Sequence, residues 1–181
     1  MHAKNVFFYY RMRQGHAMKK QGFSLIELMV VIVIMSTLAA IAVPKLFGMI
    51  DKAKASEISF SAGTYVKLQE TYVHEHGKAG SWHTIGYKSP GGNSSGKGSS
   101  STFEYDAAQT TYNWSAESVV KLNNCVKGKK WFINFSMETD SHLINFWASS
   151  DDTTNCSDQL TPNFKLLSNT ATPITSPGSV E

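Results

Sequence analysis

The sequence predicts an α+β protein in which a long amino-terminal α-helix packs on a small antiparallel β-sheet. Apolar residues dominate from Phe23 to Val43 and then recur at three- and four-residue steps as far as residue 76, which is typical of helix. Beyond residue 77 the chain is polar and aromatic, and it contains two short apolar segments that resemble the arms of a β-hairpin. Packing the sheet on the second half of the helix would bury an apolar face of each.

Residues 1–22 are predicted to be a basic leader. The leader contains no acidic residue, and its five cationic residues are Lys4, Arg11, Arg13, Lys19 and Lys20. Removing it would change the formal net charge from +3 to 3 − 5 = −2. The basic pI therefore does not indicate a nucleic-acid-binding surface. Lysines on this side of the apolar segment predict that the leader lies in the cytoplasm. The sequence leaves open whether translation starts at Met1 or at Met18.

Residues 23–44 are predicted to be a transmembrane segment. From Phe23 to Val43 there are 43 − 22 = 21 residues, and Glu27 is the only charged one. About 20 apolar residues cross a bilayer core as a helix. An ordinary secretory signal cleaved among the small residues 36–42 is the alternative, although a charge near the start of its apolar core would be costly.

Glu27 is the most informative residue of this segment. A carboxylate inside an apolar helix is expensive unless it is paired, so an acid within a membrane segment indicates a function. The segment has no cationic side chain. A cut between Gly22 and Phe23 would create an α-amino group about one helical turn away, equally accessible to Glu27 of a neighbouring subunit. This predicts a role for Glu27 in assembly.

The segment from Lys19 to Ile32, KKQGFSLIELMVVI, resembles the class III signal of type IV pilins and pseudopilins. The resemblance covers residues 18 to about 50. It implies that prepilin peptidase cuts after Gly22 and methylates the amino group of Phe23, and that Glu27 is the fifth mature residue. It also implies that the precursor spans the bacterial inner membrane once, with its head outside the cytoplasm. The inner-membrane pilus assembly machinery would then polymerise it with copies of itself into an extracellular pilus.

The helix is expected to continue through residues 45–76 as an amphipathic half that ends at Gly77. Residues 23–76 would form one helix of 76 − 22 = 54 residues, roughly 80 Å long. Its first half must therefore bury its surface in lipid or in other copies of itself. Pro44 removes a helix hydrogen bond and Gly48 adds flexibility, which predicts a kink. The resemblance to type IV pilins and pseudopilins also implies a bend here, because members of that family often carry a helix-bending proline at the position of Pro44.

Residues 77–181 are expected to form a globular β head. Residues 89–101 are rich in glycine and serine and are predicted to be a flexible loop. Within it, Gly91 to Lys97 imitates the GxxxxGK phosphate-binding motif. Nucleotide binding is not predicted, because Gly98 occupies the position where Ser or Thr would bind magnesium.

Strands are predicted in the second half of the head. Residues 130–136 and 142–147 are predicted as the two arms of a hairpin with its turn at 138–141. Residues 112–114 and 119–122 are weaker strand candidates, and the tail from Thr161 onward is predicted to be a loop.

Cys125 and Cys156 are the only cysteines. An even number in an exported domain predicts one disulfide, which would enclose 156 − 125 − 1 = 30 residues, and two unpaired buried thiols are the alternative. A zinc site is not predicted, because no CxxC pair is present. The region 125–156 resembles the disulfide-bounded carboxy-terminal region of many type IV pilins, which pseudopilins more often lack.

Other groups of functional side chains have simpler interpretations. The cluster of His74, Glu75 and His76 with nearby His83 is interpreted as a solvated helix end, because side chains two residues apart on a helix diverge. Four tryptophans offer a stacking platform for sugars or bases, but they are more typical of a core or of hairpin pairs: Trp82, Trp114, Trp131 and Trp147. No nucleophile–base motif is present, so neither an enzyme nor a cofactor or metal site is predicted.

The sequence therefore predicts a structural pilus subunit. Within the same family the alternatives are a minor pilin and a pseudopilin of a type II secretion machine. A different class is a membrane-tethered head that binds carbohydrate or DNA, which would require a concave aromatic or basic patch.

Overall fold

The computed structural model describes residues 22–92, 96–107, 113–138 and 143–169. It confirms the predicted α+β fold, a long helix followed by a five-stranded antiparallel sheet. The elements are α1 (Leu25–His76), β1 (Lys97–Ser99), β2 (Phe103–Asp106), β3 (Trp114–Ser118), β4 (Lys130–Glu138), β5 (Leu143–Ser150), a π-helical turn (Thr153–Ser157), α2 (Asp158–Leu160) and a 3-10 helix (Pro162–Leu167). The chain divides into two compact units, Met1–Ala42 and Val43–Glu181.

The first unit contains the beginning of α1, which starts at Leu25, two residues later than predicted. By length and composition α1 is able to cross a membrane, and none of its most apolar window is buried. The predicted leader before Gly22 lies outside the described residues.

In the second unit, α1 contributes one face to the hydrophobic core. Apolar residues spaced by three and four bring Ile58, Ala62 and Tyr65 onto the same side of the helix, where they are fully buried. Gly77 ends the helix as predicted: its φ of 65° is left-handed, and its N–H donates to the Val73 carbonyl at 2.7 Å.

The sheet is a meander in which each strand pairs with the next along the chain, in the order β1-β2-β3-β4-β5. Alternation along the strands buries one face, as in β2, where Phe103 and Tyr105 are buried while Glu104 is exposed. This face and α1 share one core. Its largest fully buried side chains are Trp82, Trp114, Trp131, Tyr65, Tyr87, Tyr105, Phe103, Phe146 and Phe164.

The predicted hairpin is present as β4 and β5, which pair from Trp131 with Ser150 to Glu138 with Leu143. Both strands are longer than predicted. Residues 139–141 of the predicted turn and residue 142 of the predicted second arm lie outside the described residues. Trp114 begins β3, whereas Tyr112 is not described.

The prediction of a strand at 119–122 is wrong. Leu122 and Cys125 instead exchange hydrogen bonds at 3.0 and 2.8 Å as an isolated bridge around a tight turn. Asn123 adopts a left-handed φ of 52°, and its N–H donates to Asp51 Oδ2 at 2.8 Å. The apolar residues in 119–122 do not by themselves indicate that the chain reverses direction after Leu122.

The prediction that residues 89–101 are entirely loop is also wrong, because β1 lies within them. The glycines that suggested flexibility serve close packing. A Cβ on Gly98 would overlap the Ser89 hydroxyl, and a Cβ on Gly91 would overlap the Ser99 carbonyl oxygen. Strand β2 was not predicted. Residues 93–95 of the expected loop are not described.

The segment after Thr161 also differs from the predicted loop. Pro162 starts a 3-10 helix, for which its fixed φ is suited, and Phe164 inserts into the core. The remainder of the predicted tail, residues 170–181, lies outside the described residues.

A disulfide joins Cys125 to Cys156, and both residues are fully buried. It connects the turn after Leu122 to the π-helical turn that follows β5, and the enclosed segment contains both arms of the β4–β5 hairpin.

Candidate processing and assembly site

The candidate site is the start of α1, where Gly22, Phe23 and Glu27 fall within six consecutive residues, 22–27. Gly22 and Phe23 precede the helix and are exposed, Phe23 at 87%. A Cβ built on Gly22 meets no atom within 4 Å. The described part of the chain therefore places no steric demand for glycine at this position.

Glu27 accepts a hydrogen bond at the start of its own helix. The backbone N–H of Ser24, the residue just before Leu25, donates to Glu27 Oε2 at 2.8 Å. The helix ladder begins here, because the Leu28 N–H donates to the Ser24 carbonyl at 3.3 Å. The bond from Glu27 to the N–H of the residue before the helix is one half of a capping box, and it places the carboxyl group at the positive end of the helix dipole.

This contact of Glu27 was not predicted from the sequence. The segment has no cationic side chain, and the partner is instead a backbone donor. The signal that would have revealed it is Ser24-Leu25-Ile26-Glu27, an S-x-x-E pattern before an apolar run. A backbone hydrogen bond does not supply a positive charge, and the role of Glu27 in assembly stays a prediction.

The surface of α1 after the cap is apolar and exposed. Its large exposed residues include Leu28, Ile32 and Ile41. The two hydroxyls in this stretch fold back onto the helix: Ser36 Oγ donates to the Val33 carbonyl at 2.9 Å, and Thr37 Oγ1 donates to the Ile34 carbonyl at 2.8 Å. This surface therefore presents satisfied polar groups and bare aliphatic side chains, which suits lipid or an apolar helix bundle.

The predicted kink residues lie within α1. The helix continues through Pro44 without interruption, and a Cβ on Gly48 would meet nothing within 4 Å. The kink at Pro44 and Gly48 stays a prediction.

The tryptophans considered as a stacking platform are mostly internal. Trp82, Trp114 and Trp131 are buried, and each indole N–H has a partner. Trp114 Nε1 donates to Tyr87 Oη at 2.7 Å, and the Tyr87 hydroxyl is 2.7 Å from Ser61 Oγ. Burial raises the pKa of Tyr87, while these two hydrogen bonds oppose the rise. The buried rings thus tie α1 to the sheet and are inaccessible to a ligand.

The segment that imitates a phosphate-binding loop borders an open cleft. Besides Gly91 and Lys97, this cleft is lined by the carboxylates Glu104 and Asp106. Lys97 Nζ lies 3.7 Å from Asp106 Oδ2, which partly neutralises the cation. Two acids so close to the glycines disfavour an anionic ligand.

The histidines at the end of α1 do not converge. His74 and His76 are exposed, and the His76 ring stacks on Tyr72 with centroids 4.1 Å apart. Among the residues that the structure describes, no group of three or more potential metal ligands comes together.

Comparison with known proteins identifies the start of α1 as a recognised signal. A family model described as the prokaryotic N-terminal methylation motif matches residues 17–43, which include Gly22, Phe23 and Glu27. No curated protein and no solved structure matches the chain. The match supports a type IV pilin-like or pseudopilin precursor. It points to a structural protein, implies processing by prepilin peptidase, and fits an inner-membrane precursor.

Proposed function

We propose that this chain is the structural subunit of a type IV pilus. In this proposal the peptidase removes residues 1–22 and methylates Phe23. The mature chain then leaves the inner membrane by polymerising with copies of itself through α1 into an extracellular filament. The methylation-motif match over residues 17–43 carries the proposal.

The exposed first part of α1 supports polymerisation. Its aliphatic side chains require an apolar environment, which lipid supplies before assembly and copies of the same helix supply afterwards. The alternative, a membrane-tethered head that binds carbohydrate or DNA, has little structural support, because three of the four tryptophans are buried. Among the described residues of the head, no feature supports carbohydrate or nucleic-acid binding.

Glu27 is assigned to assembly. Within an apolar bundle one oxygen of its carboxylate would pair with the amino group of Phe23 in the adjacent subunit. The other oxygen would still accept the hydrogen bond from the Ser24 N–H. Any other axial stagger leaves a carboxylate and an ammonium unpaired, so this pair would also set the register.

The test separates the charge of Glu27 from its capping role. Glu27→Gln keeps an oxygen that accepts from the Ser24 N–H but has no charge, whereas Glu27→Leu has neither. We expect both variants to be inserted and cleaved after Gly22. We also expect both to lower subunit incorporation by about a hundredfold or more, because an uncompensated buried charge costs about 3–5 kcal/mol.

The measurement is an immunoblot of membrane and sheared-filament fractions. Gly22→Val is the cleavage control, since the described chain has room for a side chain at this position and any block would arise in the peptidase. Normal filaments from Glu27→Gln but not from Glu27→Leu would show that Glu27 acts only as a helix cap and that its charge is not needed. Normal filaments from Glu27→Leu would refute the assembly role altogether.

A further inference from the structure

Strand β5 forms one edge of the sheet, and its sequence carries no protection against pairing. Its eight residues, LINFWASS, include no charged residue, proline or glycine. Edge strands are normally blunted by charged residues, by proline or by bulges, because their unpaired backbone groups template pairing with another chain. An uncharged strand rich in apolar and aromatic residues is also typical of segments that aggregate.

Two residues from the carboxy-terminal side cover this edge. The Phe146 N–H donates to Asn169 Oδ1 at 2.6 Å, and Asn169 Nδ2 donates to the Ile144 carbonyl at 2.9 Å. The Asn169 N–H donates to the Phe146 carbonyl at 3.2 Å, and the Ala148 N–H donates to Ser168 Oγ at 2.8 Å. Four consecutive outward-facing groups of β5 are thereby satisfied.

An asparagine side chain is chemically suited to covering the edge of a β-strand. Its side-chain amide has one acceptor and one donor, like a peptide group, so a single residue satisfies groups that would otherwise bind a neighbouring strand. The backbone N–H of Asn169 adds a third bond, so one residue occupies both the N–H and the carbonyl of Phe146. Ser168, whose backbone is extended with φ −77° and ψ 126°, supplies the remaining acceptor.

The covering residues are anchored in the core. They follow directly on the 3-10 helix Pro162–Leu167, whose Phe164 is fully buried. Just before it, Thr161 Oγ1 accepts from Trp131 Nε1 at 3.0 Å. The position of Ser168 and Asn169 beside β5 is therefore fixed by the fold of the head.

We propose that Ser168 and Asn169 are an edge guard, and that without them β5 pairs with β5 of a second copy. The partner is a second copy because antiparallel pairing of β5 with itself about a two-fold axis matches outward donors to outward acceptors. The guard thus prevents association of heads through their sheets. It does not depend on the proposed filament function.

The test uses the full chain in detergent micelles and the double variant Ser168→Ala/Asn169→Ala. At low protein concentration we expect the Phe146 and Ala148 amides to exchange about fivefold faster than in the wild type, as for the loss of one hydrogen bond each. At high concentration we expect the variant to form a dimer that the wild type does not form, with protection of these amides restored. Sedimentation and residue-resolved hydrogen exchange measure the two effects.

Three further variants test whether the effect arises at the edge of β5. Asn163→Ala changes an exposed asparagine in the adjacent 3-10 helix and should behave as the wild type. Asn169→Asp keeps the acceptor for the Phe146 N–H but places a charge on the edge, so it should not dimerise. If the double variant fails to fold, Asn169→Ala alone, which keeps the Ser168 contact, should still dimerise. Unchanged exchange, or faster exchange with no dimer at any concentration, would overturn the proposal.

Discussion

Replacing both cysteines by alanine, Cys125→Ala/Cys156→Ala, removes the bridge around the β4–β5 hairpin. The lost cross-link closed a loop of about 30 residues, so the chain-entropy relation gives a loss of about 3–4 kcal/mol in the free energy of unfolding at 25 °C. For a unit of 181 − 42 = 139 residues, this corresponds to a fall in Tm of about 10–15 °C. Alanine is preferred to serine because both positions are fully buried, where a new hydroxyl would need a partner.

Fluorescence of the buried tryptophans during thermal unfolding of the full chain measures this effect. The single variant Cys125→Ala already lacks the bridge, so its difference from the double variant reports the packing of Cys156 alone. If the Tm of the double variant falls by less than about 3 °C, the loop-closure reasoning is wrong. A second expectation is that thiol reagents label neither cysteine of the native exported protein, since both are in the disulfide.

Two further predictions concern the buried tyrosines. Tyr87→Phe should lower the free energy of unfolding by about 1–3 kcal/mol in a denaturant titration, because it leaves the Trp114 N–H and the Ser61 hydroxyl without their partner, and an effect below 0.5 kcal/mol would contradict this. Burial raises the pKa of Tyr65 and of Tyr105, the latter also through its hydrogen bond to Glu57. The folded state thus holds these protons more tightly. Their contribution is complete below the unfolded pKa of about 10 and is lost as pH rises above it, so Tm should fall above pH 10. The share of the tyrosinate absorbance that comes from Tyr65 and Tyr105, two of the seven tyrosines, should appear only on unfolding.

The main features of α1 were predictable because they are local. The 21-residue apolar run from Phe23 to Val43 and the three- and four-residue spacing of Ile58, Ala62 and Tyr65 require no knowledge of the rest of the fold. The β4–β5 hairpin was predictable for the same reason. Its strands are long, and their apolar and aromatic residues mark them clearly.

The shorter elements depend on tertiary contacts. Strand β2 has only four residues, and its burial of Phe103 and Tyr105 requires the core that α1 provides. The reversal after Leu122 depends on Asp51, which is 72 residues away from Asn123 in the chain. Such long-range contacts leave no periodic pattern.

The candidate site divides in the same way. Gly22, Phe23 and Glu27 were predicted from one contiguous motif, and their roles in cleavage, methylation and assembly remain predictions. The Ser24–Glu27 cap is equally visible in the sequence as a local S-x-x-E pattern. The edge guard was not predictable, since nothing in the sequence around Asn169 indicates which strand lies beside it.

The intact mass of the subunit from sheared surface filaments tests the central claim most directly. We expect these filaments to contain this chain, beginning at Phe23, with one methyl group on its amino group. Filaments that lack the chain would contradict the account. So would an exported chain that begins upstream of Gly22, or after Ala40 or Ala42.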